Sequence, residues 1–275
     1  MQTLDIEPTY RVVLPAAGEL TVMLVGVGGT GSAVAPALVR LAHHLRSKGV
    51  TVKLLFVDHD VVEQRNVWRQ NFTEHEAGCF KADALAFRLN AAFGLDITAI
   101  PAPFSAERFD DWVAGCDRRT GSNLLISAVD NHLARREIAT VVAAQNGRWY
   151  GLDLGNEQHS GQVLLGNVTD PAAIKFDRLG LCTGLPSPYL QEPALLELPP
   201  ATASPLSCAD LTQRDEQSLV VNQQVAALAA HYAHQFLVRR ELTQMATTFS
   251  LEPPTARSVL LTQAAISATR QSPAR

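Results

Sequence analysis

Strongly apolar segments alternate with segments of helical periodicity along the first half of the chain. Residues 21–25, 52–57 and 123–128 are rich in apolar residues, which is the pattern of strands buried on both faces in a parallel sheet. Over residues 29–47 and over Lys81–Phe93, apolar residues recur at the spacing of one helix face. This alternation predicts an α/β fold with a doubly wound, mostly parallel sheet and helices on both faces.

Weaker patterns fill the rest of this region. They predict strands at 96–100, 149–154 and 162–168 and a helix at 107–113. A further helix is expected directly after Asp130 and Asn131, because Asp and Asn favour the N-cap position.

The pattern changes after residue 168. Residues 169–208 hold seven of the 15 prolines, a density in which we expect no helix. One long amphipathic helix is predicted at 218–242, and a terminal hairpin at 247–251 and 258–262. The predicted organisation is an N-terminal arm (1–19), a single domain (20–265) and a flexible tail (266–275). That domain comprises a first part (20–168), a proline-rich crossover loop (169–217), and the helix and hairpin (218–265).

Composition narrows the class of protein. Across 275 residues, 23 Lys and Arg against 27 Asp and Glu give a net charge of -4, so there is no basic excess for binding nucleic acid or an anionic membrane. No apolar run reaches the roughly 18 residues that a membrane span needs. Asp5 and Glu7 lie where a signal peptide would be basic and then apolar, so we expect a cytoplasmic protein. The four cysteines form no CxxC pair, and no zinc is expected.

A glycine-rich turn follows the first predicted strand. Gly26, Gly28 and Gly31 match the dinucleotide-binding pattern, in which backbone N–H groups and a helix N-terminus approach a phosphate. Asp58 ends the second strand, where a carboxylate can accept hydrogen bonds from ribose hydroxyls. These features alone fit an NAD(P)-dependent oxidoreductase, and a glycine turn without any ligand is the simpler alternative.

Charged residues beyond the turn favour a different nucleotide. Arg69 and Lys81 bring two cations towards the place where the phosphates of ATP would lie. Asp130, at the carboxyl end of a predicted strand, can hold Mg²⁺ through oxygen. Taken singly, Arg69 could be a solvated loop charge, Lys81 a surface residue of a helix and Asp130 an N-cap. A hydride-transfer enzyme has no use for the three together.

The combined motifs resemble the ThiF/MoeB/HesA family, the bacterial relatives of ubiquitin-activating enzymes, which have a Rossmann-like fold. The resemblance covers residues 20–168. It rests on GVGGTGS at 26–32, VDHD at 57–60, NVWRQ at 66–70, Lys81, and Asp130 and Asn131 followed by Arg135. The LPAAG entry at 14–18 and the extended C-terminal part are similar to the ThiF-like members of plasmid-borne PRTRC cassettes.

The resemblance implies a reaction. Family members use ATP and Mg²⁺ to adenylate the C-terminal carboxylate of a small ubiquitin-like or sulfur-carrier-like protein, and they release pyrophosphate. By position, it implies a nucleotide lined by Gly26, Gly28, Gly29 and Gly31, a ribose contact from Asp58, phosphate contacts from Asn66, Arg69 and Lys81, and Mg²⁺ on Asp130, with Asn131 and Arg135 shaping that corner. Gln70 is a further nucleotide-binding candidate, and Asp60 is either a nucleotide contact or a turn former. A scaffold that binds nucleotide without turnover is a further alternative.

The resemblance also raises the questions of dimerisation and of a thioester. It implies a homodimer, in which Arg11 is a weak counterpart of an arginine that reaches across to the partner. A thioester would need an accessible thiolate after the nucleotide-binding half, and Cys208 is the better candidate and Cys182 the weaker one. An inert thiol is the more ordinary interpretation of both. Cys79 and Cys116 are interpreted as structural.

Overall fold

The computed structural model describes residues 7–116, 123–198 and 208–269, and the side chains of 208–218 lie outside this description. Helices and strands are numbered in chain order over the described residues. The strands are β1 (Val12–Val13), β2 (Glu19–Val25), β3 (Thr51–Val57), β4 (Thr98–Ile100), β5 (Asn123–Ser127), β6 (Trp149–Asn156), β7 (Ser160–Gly166), β8 (Glu241–Leu242), β9 (Gln244–Leu251) and β10 (Pro254–Leu260). The helices are α1 (Gly29–Arg46), α2 (Lys81–Phe93), α3 (Phe109–Trp112), α4 (His132–Ala144), α5 (Pro188–Gln191), α6 (Cys208–His234) and α7 (Gln263–Ala268).

A mixed sheet of eight strands organises the described chain, in the order β10-β9-β7-β6-β5-β2-β3-β4. The five strands from β6 to β4 are mutually parallel. Alternate residues of β2 face opposite sides: Val22 and Leu24 pack with α1, α2 and α6, whereas Met23 and Val25 pack with α3 and α4. The predicted α/β fold with helices on both faces is confirmed.

The other three strands extend the sheet in antiparallel fashion. β7 returns along β6, and the hairpin of β9 and β10 joins through β9. The predicted terminal hairpin is therefore present. It is also part of the main sheet, which the local pattern of residues 247–262 could not show.

The proline-rich segment contains helical turns, contrary to the expectation that none would form there. Pro188 begins α5, and Pro193 begins a 3₁₀ turn that continues to Leu196. Proline is tolerated at the first helical position, because the N–H it lacks has no partner within the helix. Proline density therefore excludes helix interiors and leaves helix starts possible.

The long helix differs from the predicted range of 218–242. It is described from Cys208, so residues 208–217 belong to α6 and not to a crossover loop. Their sequence is polar on all sides and carries no apolar stripe. At the other end α6 stops at His234, a π-helical turn covers Gln235–Arg239, and the chain leaves through Arg240 at a left-handed φ of 55°.

Both termini are more integrated than predicted. In the arm, β1 pairs with β8, and Val12 and Leu14 are buried in the core. In the tail, α7 is capped by Thr262 and buries Ile266, while residues 270–275 lie outside the described chain. Along the described chain, we find no helix that combines the length and the apolar character needed to cross a lipid bilayer.

Candidate functional site

A cavity of about 920 Å³ opens at the carboxyl ends of β2, β3, β5 and β6. Ligands of open parallel sheets bind at this edge, where neighbouring connections leave in opposite directions. Most of the residues predicted for a nucleotide site line it: Gly26, Gly28, Gly29, Asp58, Asp60, Asn66, Arg69, Gln70, Lys81, Asp130 and Asn131. Gly31, Arg135, Arg11 and Cys182 do not.

The glycines of the turn have two different roles: some allow close packing, and one leaves space for a ligand. Gly26 has a φ of 82°, and a Cβ on it would lie 2.6 Å from the carbonyl oxygen of Ala128. A Cβ on Gly31 would overlap the carbonyl oxygen of Gly26. By contrast, the nearest atom to a Cβ on Gly28 would be Gln70 Nε2 at 4.0 Å. Gly31 is therefore a packing residue, and Gly28 is the open edge of the turn.

The turn leads directly into the N-terminus of α1. Gly28 is its N-cap, and among the described residues no side chain caps the first turn of the helix. The first N–H groups of a helix have no partner within it and carry partial positive charge, so they can bind an anion. This end of α1 lies in the cavity wall at Gly29 and Thr30.

Asp58 fastens the glycine turn to the end of β3. Its Oδ2 accepts a hydrogen bond from the N–H of Val27 at 2.7 Å, and its Oδ1 accepts one from the N–H of Asp60 at 2.8 Å. Burial raises the pKa of Asp58, and the two backbone bonds oppose that rise. The carboxylate is thus positioned by the backbone in the cavity wall.

Lys81 is a buried cation and not a surface residue. It is the first residue of α2, it is 6% exposed, and its Nζ donates to Asp60 Oδ2 at 2.8 Å. That hydrogen bond lowers the pKa of Asp60 below its usual value. Asp60, predicted as either a nucleotide contact or a turn former, is therefore the partner that holds the Lys81 ammonium in the cavity wall.

The connection from β3 to α2 carries the other predicted phosphate contacts. Asn66 is buried, and its Oδ1 accepts from the N–H of Glu63 at 3.0 Å, so it shapes the loop from within. Arg69 is half-buried in the cavity wall. Gln70 Oε1 is buried and accepts no hydrogen bond from any described residue. A bound ligand or water would supply the missing donor.

Asp130 and Asn131 have different tasks. Asn131 is the N-cap of α4, and its Oδ1 accepts from the N–H of Ala134 at 2.8 Å. Asp130 is not the cap: its exposed carboxylate lines the cavity and is 3.4 Å from Asn131 Nδ2. An exposed carboxylate in a cavity wall is a suitable ligand for Mg²⁺, which prefers carboxylate, phosphate and water oxygens.

Arg135 acts from behind the cavity. Its Nε is 3.2 Å from Oδ2 of Asp153, which is 0% exposed and also accepts from Ser127 Oγ at 2.8 Å. Burial raises the pKa of Asp153, and Arg135 and Ser127 counteract it. The ion pair ties the first turn of α4 to β6 and so fixes the loop that carries Asp130.

The cavity residues that were not predicted include a hydrogen-bonded group of three, Thr30, Asn156 and Asn222. Thr30 Oγ1 donates to Asn222 Oδ1 at 2.9 Å, and Asn156 Nδ2 donates to the same oxygen. They come from α1, β6 and α6. Asparagine in a strand end or within a helix carries no local signal of a site, so only the tertiary arrangement reveals them.

Of the two thioester candidates, Cys182 does not line the cavity. Cys182 is 6% exposed, and burial raises its pKa to about 11. A buried thiol that stays protonated is unreactive, which agrees with the interpretation of Cys182 as an inert thiol. The side chain of Cys208 lies outside the described residues. At about 1.5 Å per residue, the backbone of α6 puts it about 21 Å along the helix axis from Asn222. Cys79, interpreted as structural, is exposed, and Cys116 is half-buried.

Two remaining expectations concern Arg11 and metal ligands. Arg11 is 3.7 Å from Glu241 in an ion pair remote from the cavity, so a role across a dimer stays a prediction. In the described chain, the His, Cys, Asp and Glu side chains close enough to share a metal ion are Asp58, His59 and Asp60. Asp58 is bonded to the backbone and Asp60 to Lys81, so this group already has internal partners.

Comparison with known proteins agrees with this geometry. The model of the ThiF family matches residues 14–167, more than half of the chain. Ubiquitin-like modifier-activating enzyme 5 of Bombyx mori is 33% identical over 152 residues, which are 53% of this chain and 36% of that protein. The Aedes aegypti protein of the same name is 31% identical over 151 residues, 52% of this chain and 36% of the relative. The chain thus spans about a third of the length of these relatives.

Solved structures agree in fold. PaaA superimposes with a TM-score of 0.55 and 15% identity, over 89% of this chain and 64% of that one. MccB of E. coli, crystallised with ATP, gives 0.56 and 15% identity, over 88% of this chain and 64% of its own. Identity at this level shows a shared architecture.

Proposed function

The chain belongs to the ThiF family, and from this we propose that it is an adenylating enzyme that activates the C-terminal carboxylate of a small ubiquitin-like or sulfur-carrier-like protein. In this reaction a carboxylate oxygen bonds to the α-phosphorus of ATP. The bond from that phosphorus to the bridging oxygen breaks, and pyrophosphate leaves. No proton has to be transferred, so the protein's task is to position the two reactants and neutralise charge.

The observation that supports the proposal is that one cavity has two cations on one side and a carboxylate on the opposite side. The buried ammonium of Lys81 and the guanidinium of Arg69 lie on the side of the β3–α2 connection, and Asp130 lies at the end of β5. Between them is the open edge of the glycine turn at Gly28. An oxidoreductase is not favoured, because hydride transfer gives Lys81 and Asp130 no task.

Each residue has a defined part in this proposal. The N–H groups at the start of α1 and the cations Arg69 and Lys81 bind the phosphates and offset the charge of the departing pyrophosphate. Asp58 accepts from the ribose hydroxyls. Asp130 would hold Mg²⁺, and the ion when bound neutralises phosphate charge. Magnesium dependence, a homodimer, cytoplasmic location and membership of the PRTRC subgroup stay predictions.

The test is exchange of labelled pyrophosphate into ATP, measured with Mg²⁺ and a ubiquitin-like protein encoded nearby. Arg69→Ala and Asp130→Ala should each lower exchange by about 10²-fold or more, the scale of a lost charge-stabilising contact. Arg148→Ala and Asp83→Ala make the same charge changes outside the cavity and should leave exchange unaltered. Equal exchange in all four variants would remove the site assignment. ATP binding without exchange would leave a non-catalytic nucleotide-binding scaffold.

A further inference from the structure

An amide pair lies in the cavity wall beside the start of α1. Asn222, from α6, is 5% exposed, and Asn156 lies at the end of β6. The Oδ1 of Asn222 accepts from both Thr30 Oγ1 and Asn156 Nδ2, which fixes which way the Asn222 amide points. Both residues line the cavity.

Each amide keeps one polar group unused. Within the described chain, no hydrogen-bond partner is present for Asn222 Nδ2 or for Asn156 Oδ1. Asn222 Nδ2 is the atom that a Cβ on Gly29 would meet, so it lies against the first turn of α1. Asn222 Nδ2 is not among the fully buried polar atoms that lack a partner, so a ligand in the cavity can reach it.

We propose that Asn156 and Asn222 bind the end of the substrate polypeptide: Asn222 donates to its C-terminal carboxylate and Asn156 accepts from its last peptide N–H. The inference rests on the proposed function and assigns these residues to the acyl end of the site. Both residues would bind substrate, and both come from elements that follow the glycine turn and the β3–α2 connection in the sequence: Asn156 from β6 and Asn222 from α6.

The site presents a donor and an acceptor side by side, and this pairing shows which of the two reactants it binds: the phosphates of ATP or the C-terminal end of the substrate protein. A phosphate of ATP offers oxygen acceptors only and could use Asn222 but not the oxygen of Asn156. The ribose hydroxyls of ATP are donors, but they are assigned to Asp58 at the end of β3, which β2 and β5 separate from β6. The end of a peptide offers both an acceptor, the carboxylate, and a donor, the preceding N–H. Leu154 lines the same wall two residues earlier in β6, and it gives the peptide an apolar contact.

Peptide binding tests the assignment separately from catalysis. The probe is a synthetic hexapeptide ending in Gly-Gly, as the free acid and as the C-terminal amide. Its affinity is measured by calorimetry and by the shifts of side-chain amide resonances, up to millimolar peptide, with a non-hydrolysable ATP analogue bound. The variants are Asn222→Asp and Asn156→Ala, and the control is Gln223→Glu, the same charge change at the next, exposed residue of α6.

The two variants should differ in kind. Asn222→Asp removes the donor and should weaken binding of the acid peptide by about 10-fold or more, while the affinity for the amide peptide changes less. Asn156→Ala should weaken both peptides alike, by about 3–10-fold, because both carry the N–H. Affinity for the ATP analogue should stay within about 2-fold in Asn156→Ala, a difference smaller than one hydrogen bond. Asn222→Asp also adds a negative charge against the first turn of α1, so Asn156→Ala is the variant that separates peptide binding from ATP binding.

Other results overturn the inference. They are absence of peptide binding by the wild type, equal loss of acid and amide peptide in Asn222→Asp, or, in Asn156→Ala, a loss of ATP affinity as large as that of peptide affinity. If the expected pattern is found but pyrophosphate exchange is absent, the binding site stands and the proposed function fails. If exchange occurs and the variants bind peptide like the wild type, the function stands and the inference fails.

Discussion

At the scale of single residues, the site depends on partners that the sequence does not show. The motifs predicted Lys81 and Asp130 as site residues, and both line the cavity. The burial of Lys81 against Asp60 could not be predicted, because a lysine at a helix start is usually exposed. Asn222 had no signal at all, since its role exists only where α6 crosses the glycine turn.

Gly29 illustrates this dependence and yields a prediction. A methyl group on Gly29 would collide with the Asn222 amide, so Gly29→Ala should destabilise the protein by about 1–3 kcal/mol, as overpacking does. Adding Asn222→Ala removes the collision, and the double variant should lose less than the sum of the single losses. Urea unfolding measures all three variants. Gly18→Ala, with open space around it, is the control, and strictly additive losses would show that the close approach does not select glycine.

At the scale of elements, prediction succeeded where an apolar stripe and a stop signal coincide. α2 was predicted at its observed bounds, because Gly94 ends it in a left-handed conformation with a φ of 59°. The start of α6 was missed because residues 208–217 show no stripe, and α5 was missed because proline starts helices as well as breaking them. Local periodicity therefore predicts amphipathic elements and is silent on polar ones.

The first turn of α4 separates a structural role from a binding role. Asn131→Ala removes the cap hydrogen bond to Ala134 and should lower the free energy of unfolding by about 1 kcal/mol. Asn131→Asp keeps an acceptor and should restore most of that stability. Chemical denaturation measures both variants, and equal stability of Asn131→Ala and the wild type would contradict the capping role. ATP affinity, measured in parallel, shows whether the cap also positions Asp130.

At the scale of the whole molecule, the N-terminal arm and the C-terminal elements close one core. Val12 and Leu14 pack in the same cluster as α1 and α6, whereas Val13 between them is 56% exposed. The sequence predicted the parallel part of the sheet, but it predicted residues 1–19 only as an arm that precedes the domain. The arm is held by its pairing with β8, a strand of two residues from the far end of the domain. A neighbouring hydrogen bond, from Arg240 to the carbonyl oxygen of Pro15, joins residues that are 225 positions apart in the sequence.

Substitutions in the arm test whether it shares one core with the rest of the domain. Leu14→Ala should cost about 2–5 kcal/mol and lower the midpoint of a single unfolding transition, because the leucine lies in the shared core. Val13→Ala, one residue earlier and exposed, should change stability by less than about 0.5 kcal/mol. Fluorescence and circular dichroism follow the transition. Two separate transitions, or equal small effects of both variants, would show that the arm folds apart from the domain.

The contact between Thr30 and Asn222 also has a consequence in time. The two residues are 192 positions apart, so the glycine turn leaves the ribosome long before the side chain that completes its wall. At a synthesis rate of about 5–20 residues per second, the delay is roughly 10–40 s. A nascent chain thus carries the turn and its cations while the proposed peptide-binding end is still missing. We expect the growing polypeptide to be unable to engage its substrate until α6 has been made.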